Sequence, residues 1–161
     1  MAPRSRRLVI AITVCVSALV VGGCTTATGH ADWSTAMLAR VNAVRAAAGV
    51  GPLGVCGPLM RSSAQQSTDQ AALSKLTHTG ANGSTLTQRT RIAGLTAWTE
   101  LAENVGVNGG NTDAVIDMWL QSAPHRANLL HATYTNVGFG RATSASGETY
   151  WTQDFSNGGC A

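Results

Sequence analysis

The stretch VGFGRATSASGETYWTQDF, residues 137–155, decides the fold class. The alternating positions Val137, Phe139 and Arg141 indicate one strand, and a second apolar and aromatic run covers residues 150–155. Ser and Gly residues separate the two runs, so this stretch predicts two strands joined by a turn. The segments upstream have helical rather than alternating periodicity. Helices first and strands last predict an α+β fold.

The upstream helices are predicted from apolar spacing, caps and helix-breaking residues. The first begins behind a possible cap at Asp32, carries Trp33 and Met37 on one side, and ends at Gly49. The second follows Pro58, a residue suited to the first turn of a helix. We expect the second helix over residues 59–75 and shorter ones over 86–93, 113–122 and 124–130. Residues 77–84 are predicted to form a loop, and Glu103 and Asn104 to lie in a loop or at a helix end.

Residues 1–23 are predicted to be a signal peptide. Arginines precede an apolar run from Leu8 to Val21, which is shorter than the ~20 residues of a membrane-spanning helix. The run ends in Val21, two glycines and Cys24, which resembles the lipobox of bacterial lipoproteins and predicts lipidation of Cys24. The alternative is ordinary signal cleavage after Ala31. Residues 24–32 would be a short linker and residues 33–161 the folded domain.

Charge argues against a nucleic-acid partner. Three of the 11 Lys and Arg residues lie in the leader, so residues 24–161 carry eight basic and eight acidic side chains. Nucleic-acid-binding domains normally present a basic patch. A chain with 44% hydrophobic and 12% charged residues is also unlike a disordered one.

The cysteines fit an exported domain. Cys15 and Cys24 belong to the leader, which leaves Cys56 and Cys160 in the body. In an oxidising compartment two remaining cysteines are expected to form one disulfide. Two free thiols are the alternative, while a metal pair is disfavoured because no Cys or His lies at short spacing from either.

Polar residues with chemical potential occur in three places: His78 with Thr79, Glu103 with Asn104, and the group Ser122, His125 and Asn128. Two imidazoles and one carboxylate form a donor set that zinc accepts with a position open for water. The long intervals between these residues are no local ligand pattern, and an HExxH motif is absent from the sequence. The alternative is that each histidine is an ordinary loop residue. No GxSxG motif marks a nucleophilic serine.

Taken in order, these segments resemble the CAP superfamily of cysteine-rich secretory, antigen and pathogenesis-related proteins in its compact bacterial form. The matching positions run along nearly the whole body and include Asn42, Arg45, Pro52, Gln65, His78, Thr79, Arg91, Glu103, Asn104, Trp119, Ser122, His125, Asn128, Leu129, Gly138, Gly140, Tyr150 and Asp154. The resemblance implies a three-layer α-β-α sandwich around a small antiparallel sheet.

The resemblance also implies a central cleft with two histidines and two acids. His78, His125 and Glu103 match three of these positions, whereas Ser122 stands where animal members have the second acid. Asn104 and Asn128 would support the cleft. Some members bind zinc there, and some eukaryotic members hold sterols or fatty acids. No cofactor is required by the resemblance, and zinc is the metal it suggests for the cleft.

Three functional hypotheses follow. The first, which the sequence favours, is a non-catalytic, extracytoplasmic protein that is tethered through Cys24 to the cell membrane, or secreted, and binds a small apolar or cell-wall ligand. The second is a metal-assisted hydrolase in which Glu103 is the base and His78 and His125 hold the metal. The third is a surface module that binds other proteins.

Overall fold

The computed structural model describes residues 29–160 of the 161-residue chain. In chain order its elements are α1 Gly29–Ala47, β1 Gly54–Val55, α2 Gly57–Leu73, α3 Leu86–Ile92, β2 Leu101–Asn108, α4 Thr112–Gln121, α5 Ala123–Leu129, β3 Asn136–Thr143 and β4 Thr149–Ser156. The predicted signal peptide and Cys24 lie outside the described residues. No helix in the described range is long and apolar enough to cross a membrane.

The helices agree closely with the sequence predictions, apart from the start of α1. This helix begins at Gly29, inside the predicted linker, so Asp32 lies in its first turn rather than at its cap. Helix α2 has Pro58 in its first turn, as expected. Helix α3 begins with a capping box between Thr85 and Gln88, in which each residue's side chain bonds to the backbone N–H of the other.

The sheet has four strands in the order β1-β3-β4-β2. Strands β3 and β4 form the predicted antiparallel pair, and β2 pairs antiparallel with the other side of β4. The two-residue strand β1 pairs parallel with β3, so the sheet is mixed rather than wholly antiparallel. The α+β class is confirmed.

Strand β2 is the longer of the two elements that the sequence prediction missed, the other being the two-residue strand β1. Glu103 and Asn104 lie in the middle of β2 and not in a loop or at a helix end. The sequence LAENVGVN hides the strand because polar side chains occupy two adjacent buried positions, which breaks the usual alternation. The strand completes the sheet edge beside which the candidate site lies.

Helices cover both faces of the sheet. Gly138 and Gly140 of β3 meet the α2 backbone at Leu59 and Ser63, whereas Gly106 of β2 meets Met118, Val115 and Trp119 of α4. In the pairing register Gly140 aligns with Thr152 and Val105, so Gly106, one residue further along, faces the opposite way. Helices α2 and α3 therefore form one outer layer, and α1, α4 and α5 form the other.

The apolar core lies mainly between the sheet and the second helical layer. Its fully buried side chains include Met37, Val41, Val115, Ile116, Trp119, Leu129, Val137, Trp151 and Phe155. A smaller cluster around Leu59 and Leu95 adjoins Cys56 and Cys160. These two cysteines form a disulfide with Cα atoms 5.6 Å apart, which supports the predicted pairing.

Candidate functional site

Two adjacent residues of β2 place the polar side chains of the site on opposite faces of the sheet. Glu103 points toward the α2 and α3 layer, where it contacts His78 and Arg89. Asn104 points the other way and donates through Nδ2 to the backbone oxygen of His125 in α5. Because β2 is an edge strand, groups from both faces meet beside it. The predicted residues thus gather in one region, but they belong to two hydrogen-bond networks.

The first network is centred on the Glu103 carboxylate, whose side chain is 3% exposed. Oε1 lies 2.8 Å from Nδ1 of His78, and Oε2 accepts from Nη2 of Arg89. The His78 side chain is 61% exposed, so the rest of its ring is open to solvent. Glu103 raises the pKa of His78, mainly through this hydrogen bond, while partial burial acts in the opposite direction.

Arg89 is a residue that the sequence analysis did not select. Besides Glu103, it donates through Nη1 to the backbone oxygens of His78 and Ser84. Its guanidinium therefore fixes both the carboxylate and the loop that presents His78. The sequence gave little indication of this role, because an arginine within a short capped helix is usually exposed to solvent. Arg89 is instead only 4% exposed.

Asp154 was noted as a position that matches the family but was not selected as a site residue, and it supplies a second acid close to the site. It lies on β4 directly opposite Glu103 and is fully buried. Neither carboxyl oxygen has a hydrogen-bond partner of normal geometry among the described residues. Burial, together with the charge of Glu103, raises the pKa of Asp154 well above its ordinary value. The signal in the sequence was an acid inside an otherwise uncharged strand, TYWTQDFS.

The second network joins α5 to the other face of β2. Nδ2 of Asn128 donates to Oδ1 of Asn104 at 2.9 Å, and Asn104 in turn holds the His125 backbone. The backbone N–H of Arg126 donates to the carbonyl of Ser122, which occupies the junction between α4 and α5. Burial and the charge of His78 lower the pKa of His125. Ser122 therefore has a structural place at a helix junction, and His125 favours its neutral form.

An open cleft of about 460 Å³ lies beside the first network. Its polar side chains are His78, Thr79, Thr85, Glu103 and Asn128, and its apolar ones are Leu86, Leu101 and Ala102. The cleft thus joins an apolar wall to a small number of fixed polar groups, an arrangement typical of small-molecule sites. His125 is not among the residues that line it.

The three predicted zinc ligands do not form a metal-binding group. Within the described part of the chain, no three His, Cys, Asp or Glu side chains are placed to hold one ion. Both Glu103 oxygens are engaged by His78 and Arg89, and the guanidinium already balances the carboxylate charge. A carboxylate whose two oxygens are already held by a histidine and an arginine fits ligand binding better than it fits metal coordination.

Comparison with known proteins agrees with this fold. A protein-family model described as the cysteine-rich secretory protein family, CAP, matches residues 38–155, which is most of the chain. No curated protein matches the sequence.

Three solved structures show how similar the architecture is. An outer surface protein from Borrelia burgdorferi superposes with a TM-score of 0.72 at 17% identity, over 82% of this chain and 96% of that one. An extracellular protein containing an SCP domain from Bacillus anthracis gives 0.67 at 21% identity, over 77% of this chain and 40% of that one. A cysteine-rich secretory protein from Staphylococcus aureus gives 0.60 at 18% identity, over 80% of this chain and 39% of that one. This chain therefore spans about two fifths of the last two proteins.

Proposed function

The chain belongs to the cysteine-rich secretory protein (CAP) family, and from that premise we propose that it is a non-catalytic extracytoplasmic binding protein. Its cleft beside β2 takes a small ligand with an apolar body and a polar end. The observation that carries this proposal is the lining of the cleft, where Leu86, Leu101 and Ala102 adjoin His78, Glu103 and Asn128. An apolar surface with a few oriented polar groups binds such a molecule without needing to transform it.

The state of Glu103 argues for binding rather than hydrolysis. A general base must be able to reach the water that it activates, and the Glu103 side chain is only 3% exposed. Here one oxygen contacts His78 and the other contacts Arg89. Binding to another protein is the third hypothesis, and no described surface favours it over the cleft.

Native mass spectrometry of the protein purified from its expression host tests the proposal. We expect a bound small molecule of a few hundred daltons on the wild type. Thr79→Trp, which fills the cleft, should abolish that adduct, whereas Thr87→Trp on the exposed side of α3 should retain it. No adduct, or equal adducts in both variants, would contradict the cleft assignment. A hydrolytic activity lost in Glu103→Gln, or a protein partner captured equally by wild type and Thr79→Trp, would favour the other two hypotheses.

Attachment to the membrane through lipidated Cys24 is a second part of the proposal. Its support is the sequence Val21-Gly22-Gly23-Cys24 directly after the apolar run. The printed names of two similar proteins, an outer surface protein and an extracellular protein, agree with export. Cys24→Ala should move the protein from the membrane fraction to the soluble fraction, and Cys15→Ala within the leader should not. A mature chain that begins at Asp32 would contradict lipidation.

A further inference from the structure

A second cavity lies between α2 and α3, behind the cleft. Its volume is about 480 Å³, and its lining shares no described residue with that of the cleft. Arg89 forms the partition, because its Nη2 atom reaches Glu103 on the cleft side while its side chain also lines the second cavity. The remaining lining residues are Arg61, Ser62, Gln65, Asp69, Ala81, Asn82, Ser84, Ile92 and Ala93.

The deep end of this cavity is formed by two residues that are almost completely buried. Ser62 is 1% exposed and Arg89 is 4% exposed, and both line the cavity. The Ser62 hydroxyl interacts with the buried carboxyl of Asp154, and Arg89 donates to Glu103. These polar groups belong to the packed interior, so a ligand in the cavity binds to the walls above them.

The walls of the cavity are held in place before any ligand arrives. Asp69 accepts from Gln65 through one carboxylate oxygen and from the Ala81 backbone N–H through the other. Arg61 donates to the Ala93 backbone oxygen at the end of α3. These contacts tie α2 to both the loop and α3, so ligand binding need not order the walls, a cost that would otherwise reduce affinity.

The balance of charge and polarity identifies the class of ligand. Arg61 and Asp69 have opposite charges, and the Arg89 charge is already balanced by Glu103, so the cavity does not select a strong anion or cation. Hydroxyl and amide groups from Ser84, Gln65 and Asn82 offer both donors and acceptors. Ala81, Ala93 and the exposed Ile92 add apolar surface toward the rim.

The structure assigns to this cavity a second ligand site, distinct from the cleft, that takes a neutral, hydroxyl-rich molecule with the size of one or two sugar rings. Sugars present hydroxyls around an apolar C–H face, which matches this pattern of walls. The volume suits a molecule of that size. This assignment does not depend on the function proposed for the cleft.

Chemical-shift titration of the folded domain with N-acetylglucosamine, its β-1,4-linked dimer and cellobiose tests the site. We expect backbone amide shifts at Gln65, Ala81, Asn82 and Ala93 with at least one of these sugars. Asn82→Ala, which removes an exposed amide from the lining, should weaken binding at least threefold, and Thr68→Ala should change it less than twofold. Thr68 is a suitable control because it is an exposed polar residue of α2 that does not line the cavity.

Two further variants keep the test decisive. Gln65→Ala changes an exposed lining residue and should weaken binding without affecting folding. The cleft variant Thr79→Trp should leave the sugar affinity unchanged, so this result is separable from failure of the cleft proposal. Absence of shifts with all three sugars up to their solubility limits would overturn the assignment. Shifts confined to cleft residues, or tighter binding of glucuronate or inorganic phosphate than of neutral sugars, would also overturn it.

Discussion

At the scale of single residues, the site depends on two carboxyl groups that face each other across the β2 and β4 pairing. Glu103 contacts an arginine and a histidine. Asp154, in contrast, is buried and makes no hydrogen bond of normal geometry to the described residues. The sequence could identify His78, Glu103 and Asn104 through the resemblance. It could not assign a role at the site to Arg89 or to Asp154, although Asp154 matched the family, because these roles come from the strand register and from the packing of α3, which act between residues distant in sequence.

Asp154→Asn tests the protonation of this pair. A carboxyl whose pKa is raised in the folded state stabilises the fold at low pH relative to high pH, and that stability is lost as the pH rises through the folded-state pKa. Asn cannot ionise, so the variant does not lose this stability. The unfolding free energy of the variant minus that of the wild type should therefore increase as the pH rises from 4 to 9. Urea denaturation across this range measures the difference. An exposed control, Asp113→Asn, should not show this rise, and a pH-independent difference for Asp154→Asn would contradict the interpretation.

At the scale of elements, the fold depends on the close approach of α2 to β3. Helix α2 buries Ser62, Ser63, Gln66, Ser67 and Gln70, an unusually polar inner face. Part of this face is satisfied by the sheet, since Ser67 and Gln70 both donate to Oγ1 of Thr152. The helix boundaries were predictable because caps and local periodicity set them. Strand β2 and the two-residue strand β1 were not, because pairing across the sheet defines them.

Gly140 allows this close approach. A Cβ atom there would overlap the Ser63 carbonyl of α2, and backbone cannot move aside as a flexible side chain does. Gly140→Ala should therefore push α2 from the sheet and cost at least about 2 kcal/mol of unfolding free energy. Gly51→Ala is the matched control, since no atom lies within 4 Å of the added methyl. Chemical denaturation measures both, and equal stabilities would show that α2 relaxes freely.

At the scale of the whole molecule, two connections join segments that are far apart in the sequence. The first is Arg45 of α1, which is 0% exposed and donates to the backbone oxygens of Gly51, Leu129, His131 and Tyr134. One side chain thus links α1 to the segment that leads from α5 into β3. The resemblance included Arg45, yet its role as a hub for backbone carbonyls follows only from the three-dimensional arrangement.

Arg45→Lys keeps the positive charge but cannot reproduce the planar fork of the guanidinium. At least one buried carbonyl should lose its donor, which costs roughly 1–3 kcal/mol for each group left unsatisfied. We expect the unfolding free energy to fall by about 2 kcal/mol or more in thermal or urea denaturation. Arg126→Lys on the exposed surface of α5 is the control and should change stability by less than about 0.5 kcal/mol. Similar losses in both variants would contradict the role of Arg45.

The second connection is the disulfide between Cys56 and Cys160, which are separated by 104 residues in the sequence. It joins the start of α2 to the chain segment after β4, next to the cluster of Leu59 and Leu95. Because the bond closes so long a loop, it restricts the unfolded chain strongly and should stabilise the fold by about 4–5 kcal/mol in the chain-entropy model. Replacing both cysteines with Ala should lower the melting temperature, and a reductant should lower that of the wild type but not that of the variant. If peptide mapping without reduction finds both thiols alkylated, or if the reductant leaves the wild-type melting temperature unchanged, the proposed connection between the start of α2 and the C-terminal segment is wrong.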